Sequence, residues 1–164
     1  MKTTGERIRS KIWDGATLMQ HRALWQIKPQ KVVFTNGCFD IVHSGHLDYL
    51  QKAADMGDFL ILGLNSDASV RRLKGAARPI NDEAARALLL ASLAFVGAVL
   101  IFEEDTPYRL IQQIQPAVLV KGGDYDLKDI IGADEVQAAG GIVQTIPFIH
   151  FTSTTQMIER LKNA

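Results

Sequence analysis

The sequence predicts an α/β fold in which a doubly wound, parallel sheet of five strands forms a single domain. From residue 31 onward, short apolar segments alternate with helical ones, a pattern typical of βαβ units with helices on both faces of the sheet. Several apolar segments are nearly continuous, as at 59–62, which fits strands buried on both faces. The length of 164 residues also suits one domain.

The elements follow in order. Residues 1–30 are predicted to form a helical lead-in that ends near Pro29, and 31–164 the functional domain. Strands are predicted at 32–35, 59–64, 98–102, 118–120 and 142–146, and helices at 47–56, 68–73, 82–95, 107–114 and 133–139. In a Rossmann-like sheet of order 3-2-1-4-5, the first and fourth strands flank the point where the strand order reverses. Ligands bind outside the carboxyl ends of the strands at that point.

Composition excludes several classes of function. The chain has 18 basic and 18 acidic residues, whereas a general nucleic-acid binder has a basic face. We find no apolar run near the ~18 residues that a membrane span needs, and no secretory signal. A cytoplasmic protein with no membrane partner is therefore expected. The single cysteine, Cys38, excludes an internal disulfide framework and a multi-cysteine metal site.

Polar segments follow three of the predicted strands, at 35–40, 65–67 and 121–125. Parallel strands bring their carboxyl ends to one edge of the sheet, so these segments are expected to meet at the ligand site. This placement predicts a single functional cleft.

Two histidines, His43 and His46, open the helix after the first strand. Residues three apart on a helix project to the same side, and a helix start attracts anions. Gly45 lets a ligand approach the backbone. The pattern favours a nucleoside triphosphate whose α-phosphate the imidazoles contact. The alternatives are two surface histidines, or a zinc pair that would need further ligands such as Cys38 or Asp40.

The segment 34–40 followed by His43-Ser44-Gly45-His46 resembles the signature of the HIGH-type nucleotidyltransferase superfamily. Its members include glycerol-phosphate cytidylyltransferase and pantetheine-phosphate adenylyltransferase. Segments 64–70, 73–80, 104–107, 119–125, 132–134 and 153–155 resemble the adenylyltransferase domain of ADP-heptose synthesis. The resemblance implies a nucleotidyltransferase domain over 31–164. That domain is often fused to a sugar kinase, so at this length a stand-alone transferase with a separate upstream kinase is expected.

The resemblance implies that ATP and D-glycero-β-D-manno-heptose 1-phosphate give ADP-heptose and pyrophosphate. The sugar phosphate attacks the α-phosphorus in line without a covalent enzyme intermediate. Mg²⁺ would bridge triphosphate oxygens with few protein ligands, and Asp40 is the nearest carboxylate to it. A homodimer is expected from apolar residues in the lead-in.

The resemblance also implies roles for individual residues. The catalytic residues would be His43, His46 and Lys74, which contact the reacting phosphates. The nucleotide would be bound by Thr35, Asn36, Gly37, Phe39, Gly45, Lys121, Gly122, Gly123, Asp124, Tyr125, Ser153, Thr154 and Thr155. The substrate would be bound by Asp40, Asn65, Asp67, Arg78 and Arg86.

Several alternatives stay open. Asp67 could cap a helix, the two arginines could be surface charges, and 121–125 could be a solvated glycine turn. A cytidylyltransferase acting on glycerol 3-phosphate or a similar polyol phosphate, and a non-catalytic nucleotide-binding module, are the other functions. The chain also departs from its relatives: they commonly carry aspartate where it has Gly97.

Overall fold

The computed structural model describes residues 1–123 and 125–147, and within them six parallel strands form one sheet. The strands are β1 (Ile12–Trp13), β2 (Val32–Gly37), β3 (Phe59–Asn65), β4 (Ala98–Phe102), β5 (Val118–Gly122) and β6 (Ile142–Ile146). Their order is β1-β4-β3-β2-β5-β6. The predicted doubly wound parallel sheet is confirmed, and its five strands keep the predicted order. Chain order reverses at β2 and β5, the predicted switch point.

The strand count differs from the prediction because β1 adds a sixth strand at one edge. Ile12 pairs with Val99 and Trp13 with Leu100, and the Val99 N–H donates to the Lys11 carbonyl at 2.8 Å. A two-residue strand shows no periodicity in the sequence, so nothing marked it within the lead-in. The lead-in thus contributes to the sheet, while the domain boundary at residue 30 stays a prediction.

Seven α-helices and one 3₁₀ turn accompany these strands within the described residues, and all but the first helix lie between strands. They are α1 (Thr4–Arg9), α2 (Gly15–Ile27), α3 (Ser44–Ala54), α4 (Asp67–Lys74), α5 (Glu83–Ala91), α6 (Tyr108–Ile114), α7 (Ala133–Ala138) and the 3₁₀ turn Leu127–Asp129. The start of α5 is fixed by Asp82, whose carboxylate accepts a hydrogen bond from the Ala85 N–H. The helix ends at Ala91, four residues before the predicted limit of 95. The predicted helix is too long because the turn after the helix carries apolar residues that also pack on the core.

Both faces of the sheet are covered by apolar side chains. Successive residues of β2 point to opposite sides, so Phe34 lies in one core cluster and Val33 in the other. The first cluster includes Leu18 of α2 and Ile111 of α6, and the second includes Leu50 of α3. This packing fixes the strands from both sides and aligns the carboxyl ends of β2, β3 and β5.

We find no helix in residues 1–123 and 125–147 with both the length and the apolar character to cross a membrane.

Candidate active site

An open cleft of about 400 Å³ lies at the carboxyl ends of the central strands, where the sequence predicts the ligand. It brings together these predicted site residues: Asn36, Gly37, Phe39, Asp40, His46, Asn65, Lys74, Arg78, Lys121, Gly122 and Tyr125. The sequence reasoning did not assign these further lining residues: Cys38, Tyr49, Leu73, Asp105, Thr106, Pro107 and Ile131. Asp105 and Thr106 come shortly after a predicted strand, so the same strand-end rule could have found them.

The two histidines stand together at the start of α3. His43 occupies the N-cap position in extended backbone, and its carbonyl accepts the His46 N–H at 2.9 Å. The ring centroids are 4.0 Å apart. Nδ1 of His43 is buried and has no hydrogen-bond partner among the described residues. A buried polar nitrogen of this kind calls for a partner, and a ligand oxygen would supply one.

Both imidazoles are held in the neutral form. Burial, with smaller contributions from His43 and Lys74, lowers the pKa of His46 to about 4. Burial also lowers the pKa of His43. At neutral pH each ring therefore offers one N–H donor rather than a positive charge. A phosphate between them would favour protonation, because a nearby opposite charge stabilises the charged form.

Phe39 connects the turn after β2 to this pair. Its backbone has a φ of 44°, and its ring meets His46 edge-on with centroids 5.5 Å apart. A Cβ on Gly37 would lie 3.2 Å from the Phe39 ring, so glycine permits this close packing. The contact fixes the ring of His46 on the cleft wall.

Asp40 lines the cleft, but its carboxylate is engaged within the protein, and its part in substrate binding stays a prediction. Its side chain is almost fully buried, and Oδ2 accepts Nε of Arg78 at 2.5 Å. Oδ1 accepts the backbone N–H groups of Ile80 at 2.7 Å and Asn81 at 3.2 Å. The carboxylate therefore anchors the loop at 75–82 rather than presenting free oxygens to Mg²⁺. The same ion pair compensates the charge of Arg78.

Arg86 also differs from the prediction, because it is 2% exposed and neither a surface charge nor a lining residue of the cleft. Its guanidinium donates to the carbonyls of Cys38, Asn65 and Asn81 and to the carboxylate of Asp67. Asp67 does not cap α4: Ser66 does, by accepting the Ser69 N–H. Asp67 is instead the ion-pair partner of Arg86.

Gly97 has a steric explanation in this fold. A Cβ at this position would lie 2.7 Å from the ring of Phe59, closer than atoms can pack. The aspartate expected from relatives would therefore displace that ring. Its absence does not deprive Arg86 of a carboxylate, because Asp67 supplies one.

Two lysines supply positive charge on either side of β2. Lys74 is exposed at the end of α4 and lines the cleft. Nζ of Lys121, from β5, lies 3.4 Å from Oδ1 of Asn36 and 5.6 Å from the Tyr125 ring centroid, and burial lowers its pKa. Neither lysine forms an ion pair with a carboxylate in the part of the chain that the structure describes. A polyanionic ligand would compensate both charges.

The remaining predicted residues do not line the cleft or lie outside the described residues. His43 is not among the lining residues, although its ring lies against that of His46. Thr35 is fully buried, and Gly45 is buried. Gly123 has a φ of 112° and donates its N–H to the Ile146 carbonyl at 2.8 Å, which turns the chain after β5. Asp124, Ser153, Thr154 and Thr155 lie outside the described residues.

The site combines paired imidazoles at a helix start with two lysines that have no carboxylate partner among the described residues, at the switch point of a parallel sheet. This combination is typical of nucleotide-binding transferases of the α/β class. The family described as cytidylyltransferase-like matches residues 34–160. The chain belongs to this family and is a nucleotidyltransferase.

The chain is also similar in sequence to individual proteins. The chain is 56% identical over 135 residues to the bifunctional protein HldE of Geobacter metallireducens. The match covers 82% of the chain and 28% of that protein. It is 52% identical over 152 residues to the bifunctional protein HldE of Trichlorobacter lovleyi, covering 93% and 31%. The chain thus spans less than a third of the length of these relatives.

A solved structure shares the fold. The lipopolysaccharide core biosynthesis protein from Thermoplasma volcanium superposes with a TM-score of 0.61 at 26% identity. The match covers 75% of this chain and 99% of that one.

Proposed function

We propose that this domain transfers AMP from ATP to D-glycero-β-D-manno-heptose 1-phosphate, giving ADP-heptose and pyrophosphate. The observation that carries a transfer reaction is the His43–His46 pair at the start of α3, with ring centroids 4.0 Å apart. The choice of adenine and heptose rests on the sequence blocks that resemble ADP-heptose synthesis. It is supported by relatives named HldE and by a similar protein of lipopolysaccharide core biosynthesis.

The residues act by positioning and by neutralising charge. An oxygen of the sugar phosphate, already an anion at neutral pH, attacks the α-phosphorus in line, and the bond to pyrophosphate breaks. No general base is needed, so catalysis depends on orientation and on stabilising the charge that gathers on the α-phosphate. His43 and His46 donate N–H groups to its oxygens. Lys74 and Lys121 compensate the triphosphate and the incoming phosphate from either side.

The described residues provide no cage for a metal ion. No group of three or more His, Cys, Asp or Glu side chains in 1–123 and 125–147 is placed to hold one, and the Asp40 oxygens are occupied. These residues fit Mg²⁺ only as a partner of the nucleotide, since Mg²⁺ is commonly bound through substrate phosphates. In that position it would neutralise charge on the leaving pyrophosphate.

Three further proposals concern the upstream enzyme, the cellular location and the oligomeric state. A sugar 1-phosphate has to be supplied by a phosphorylating reaction, so a sugar kinase acts upstream. Because ATP is the donor, we expect the reaction to run in the cytoplasm.

Met19, Leu24 and Ile27 expose apolar surface on α2, which favours a homodimer. Sedimentation equilibrium would give the dimer mass, and a monomer at micromolar concentration would contradict this proposal.

The test is pyrophosphate release with Mg²⁺, each of the four nucleoside triphosphates, and a panel of sugar and polyol phosphates. We expect ATP with heptose 1-phosphate to exceed every other pair. CTP with glycerol 3-phosphate as the best pair would select the cytidylyltransferase alternative. ATP binding in calorimetry without release from any pair would select a non-catalytic module. The His46→Ala variant is the control that shows whether release depends on this cleft.

A further inference from the structure

Arg86 joins three segments around the cleft through one buried guanidinium, although it contacts none of the space that substrates would fill. Its Nη1 donates to the carbonyl of Cys38 at 2.6 Å and to that of Asn65 at 2.9 Å. These residues follow or end β2 and β3. Its Nε donates to the carbonyl of Asn81 at 3.0 Å, and Nη2 to Oδ1 of Asp67 at 2.7 Å.

The bond to Asn81 extends this network to the loop that follows Lys74. The side-chain amide of Asn81 donates to the carbonyl of Asp40 at 2.9 Å, and its backbone N–H donates to the Asp40 carboxylate. Arg78 donates to the same carboxylate. The turn after β2 and the loop at 75–82 therefore form one unit, and Arg86 fastens that unit to the end of β3.

Only arginine suits this position. Its guanidinium donates to four acceptors through three nitrogens, which the rigid fork of an arginine can do and a single ammonium cannot. Removing the fork would take a donor from three carbonyls, of which that of Asn65 is buried, and a buried acceptor left unsatisfied carries a desolvation penalty. The ion pair with Asp67 compensates the buried charge.

We propose that Arg86 is a positioning residue that sets the distance between the Lys74 side of the cleft and the His46 side. It fixes the turn that carries Phe39, which packs on His46, and the loop that begins directly after Lys74. Its effect on turnover rests on the proposed function, whereas its effect on the loop does not. A shift of about 1 Å in a catalytic group lowers turnover on the order of a hundredfold.

The test compares Arg86→Lys and Asp67→Asn with the control Arg71→Lys. Arg71 is an exposed arginine of α4 without an ion pair among the described residues. Circular dichroism confirms folding. Amide hydrogen exchange then follows the N–H groups of Ile80 and Asn81, which donate to Asp40. Pyrophosphate release gives kcat and KM for the best substrate pair.

We expect folded Arg86→Lys to exchange both amides at least about tenfold faster, with the amides of β3 unchanged. Its kcat should fall about a hundredfold while KM for ATP stays within about threefold. Asp67→Asn keeps an oxygen acceptor for Arg86. It should therefore change the exchange rate of the two amides and kcat in the same direction as Arg86→Lys, but by less. Arg71→Lys should match wild type.

A folded Arg86→Lys with wild-type exchange and wild-type kcat overturns the inference, even if its stability is reduced. If Arg86→Lys does not fold, Asp67→Asn decides by the same two measurements, and no change in either overturns it. If wild type turns over no substrate pair, the proposed function fails, and the exchange of Ile80 and Asn81 still decides this inference.

Discussion

The partly buried ring of His46 should make the folded protein sensitive to mild acid. Its pKa is lowered from 6.5 to about 4 by burial, with help from His43 and Lys74. Between these values the unfolded chain binds a proton at this side chain and the folded chain does not. The free energy of unfolding therefore falls as the pH is lowered from 6.5 toward 4, and this contribution is fully present only above pH 6.5.

The size of the effect follows from the same two values. The whole difference between 6.5 and about 4 corresponds to ~3 kcal/mol. Between pH 7 and pH 5, where the folded ring is still neutral and the unfolded one is mostly charged, linkage gives a loss of ~2 kcal/mol. In a marginally stable domain this is a large share of the total.

The assay is urea unfolding of wild type and His46→Gln at pH 7 and pH 5. Other groups titrate alike in both proteins, so the difference between their pH dependences isolates His46. Wild type should lose ~2 kcal/mol more than His46→Gln over this interval. Ser44→Ala, on the exposed first residue of the same helix, removes no titrating group and should behave as wild type. Equal losses in wild type and His46→Gln would contradict a lowered pKa of His46 in the folded protein.

Three further predictions concern the cleft and the sheet. His43→Ala and His46→Ala should each keep the fold and lower the rate of pyrophosphate release by about a hundredfold or more; near-normal rates in both would exclude the mechanism. Lys121→Met should weaken ATP binding by about tenfold in calorimetry, and an unchanged dissociation constant would remove this lysine from the phosphate site. Gly97→Asp should lower the free energy of unfolding by ~1–3 kcal/mol, because its Cβ would strike the Phe59 ring; unchanged urea unfolding would contradict that clash.

The sequence predicts this sheet well where its signal is long. Each of the five predicted strands is an apolar run of several residues, and the alternation with helices dictates parallel pairing. The edge strand Ile12–Trp13 is not predicted, because two residues show no periodicity and the position of the strand depends on its pairing with β4. The predicted end of α5 is wrong for a related reason. Phe95 and Val96 continue the apolar pattern of the helix, although the helix has already ended at Ala91.

The site, like the sheet, is predicted where the signal is local in sequence and missed where it depends on distant partners. The strand-end rule and the histidine spacing predict the cleft, because both depend on neighbours in the chain. The roles of Asp40 and Arg86 depend on partners far away, such as Arg78 for Asp40 and the Cys38 carbonyl for Arg86. Backbone carbonyls exist at every position, so no residue type signals which of them a buried arginine will find. Charged side chains in a motif therefore predict proximity to a site better than contact with its ligand.

Charge pairing inside the fold determines where an anion can be held. The chain has equal numbers of acidic and basic residues, so it has little long-range attraction for a triphosphate. Near the cleft, Arg78 is compensated by Asp40 and the guanidinium of Arg86 by Asp67, while His46 is neutral. The lysine charges at the cleft are left without a carboxylate in the described residues. Binding should therefore depend on short-range contacts that form after the nucleotide has entered. Affinity would then respond to these lysines far more than to exposed basic residues elsewhere.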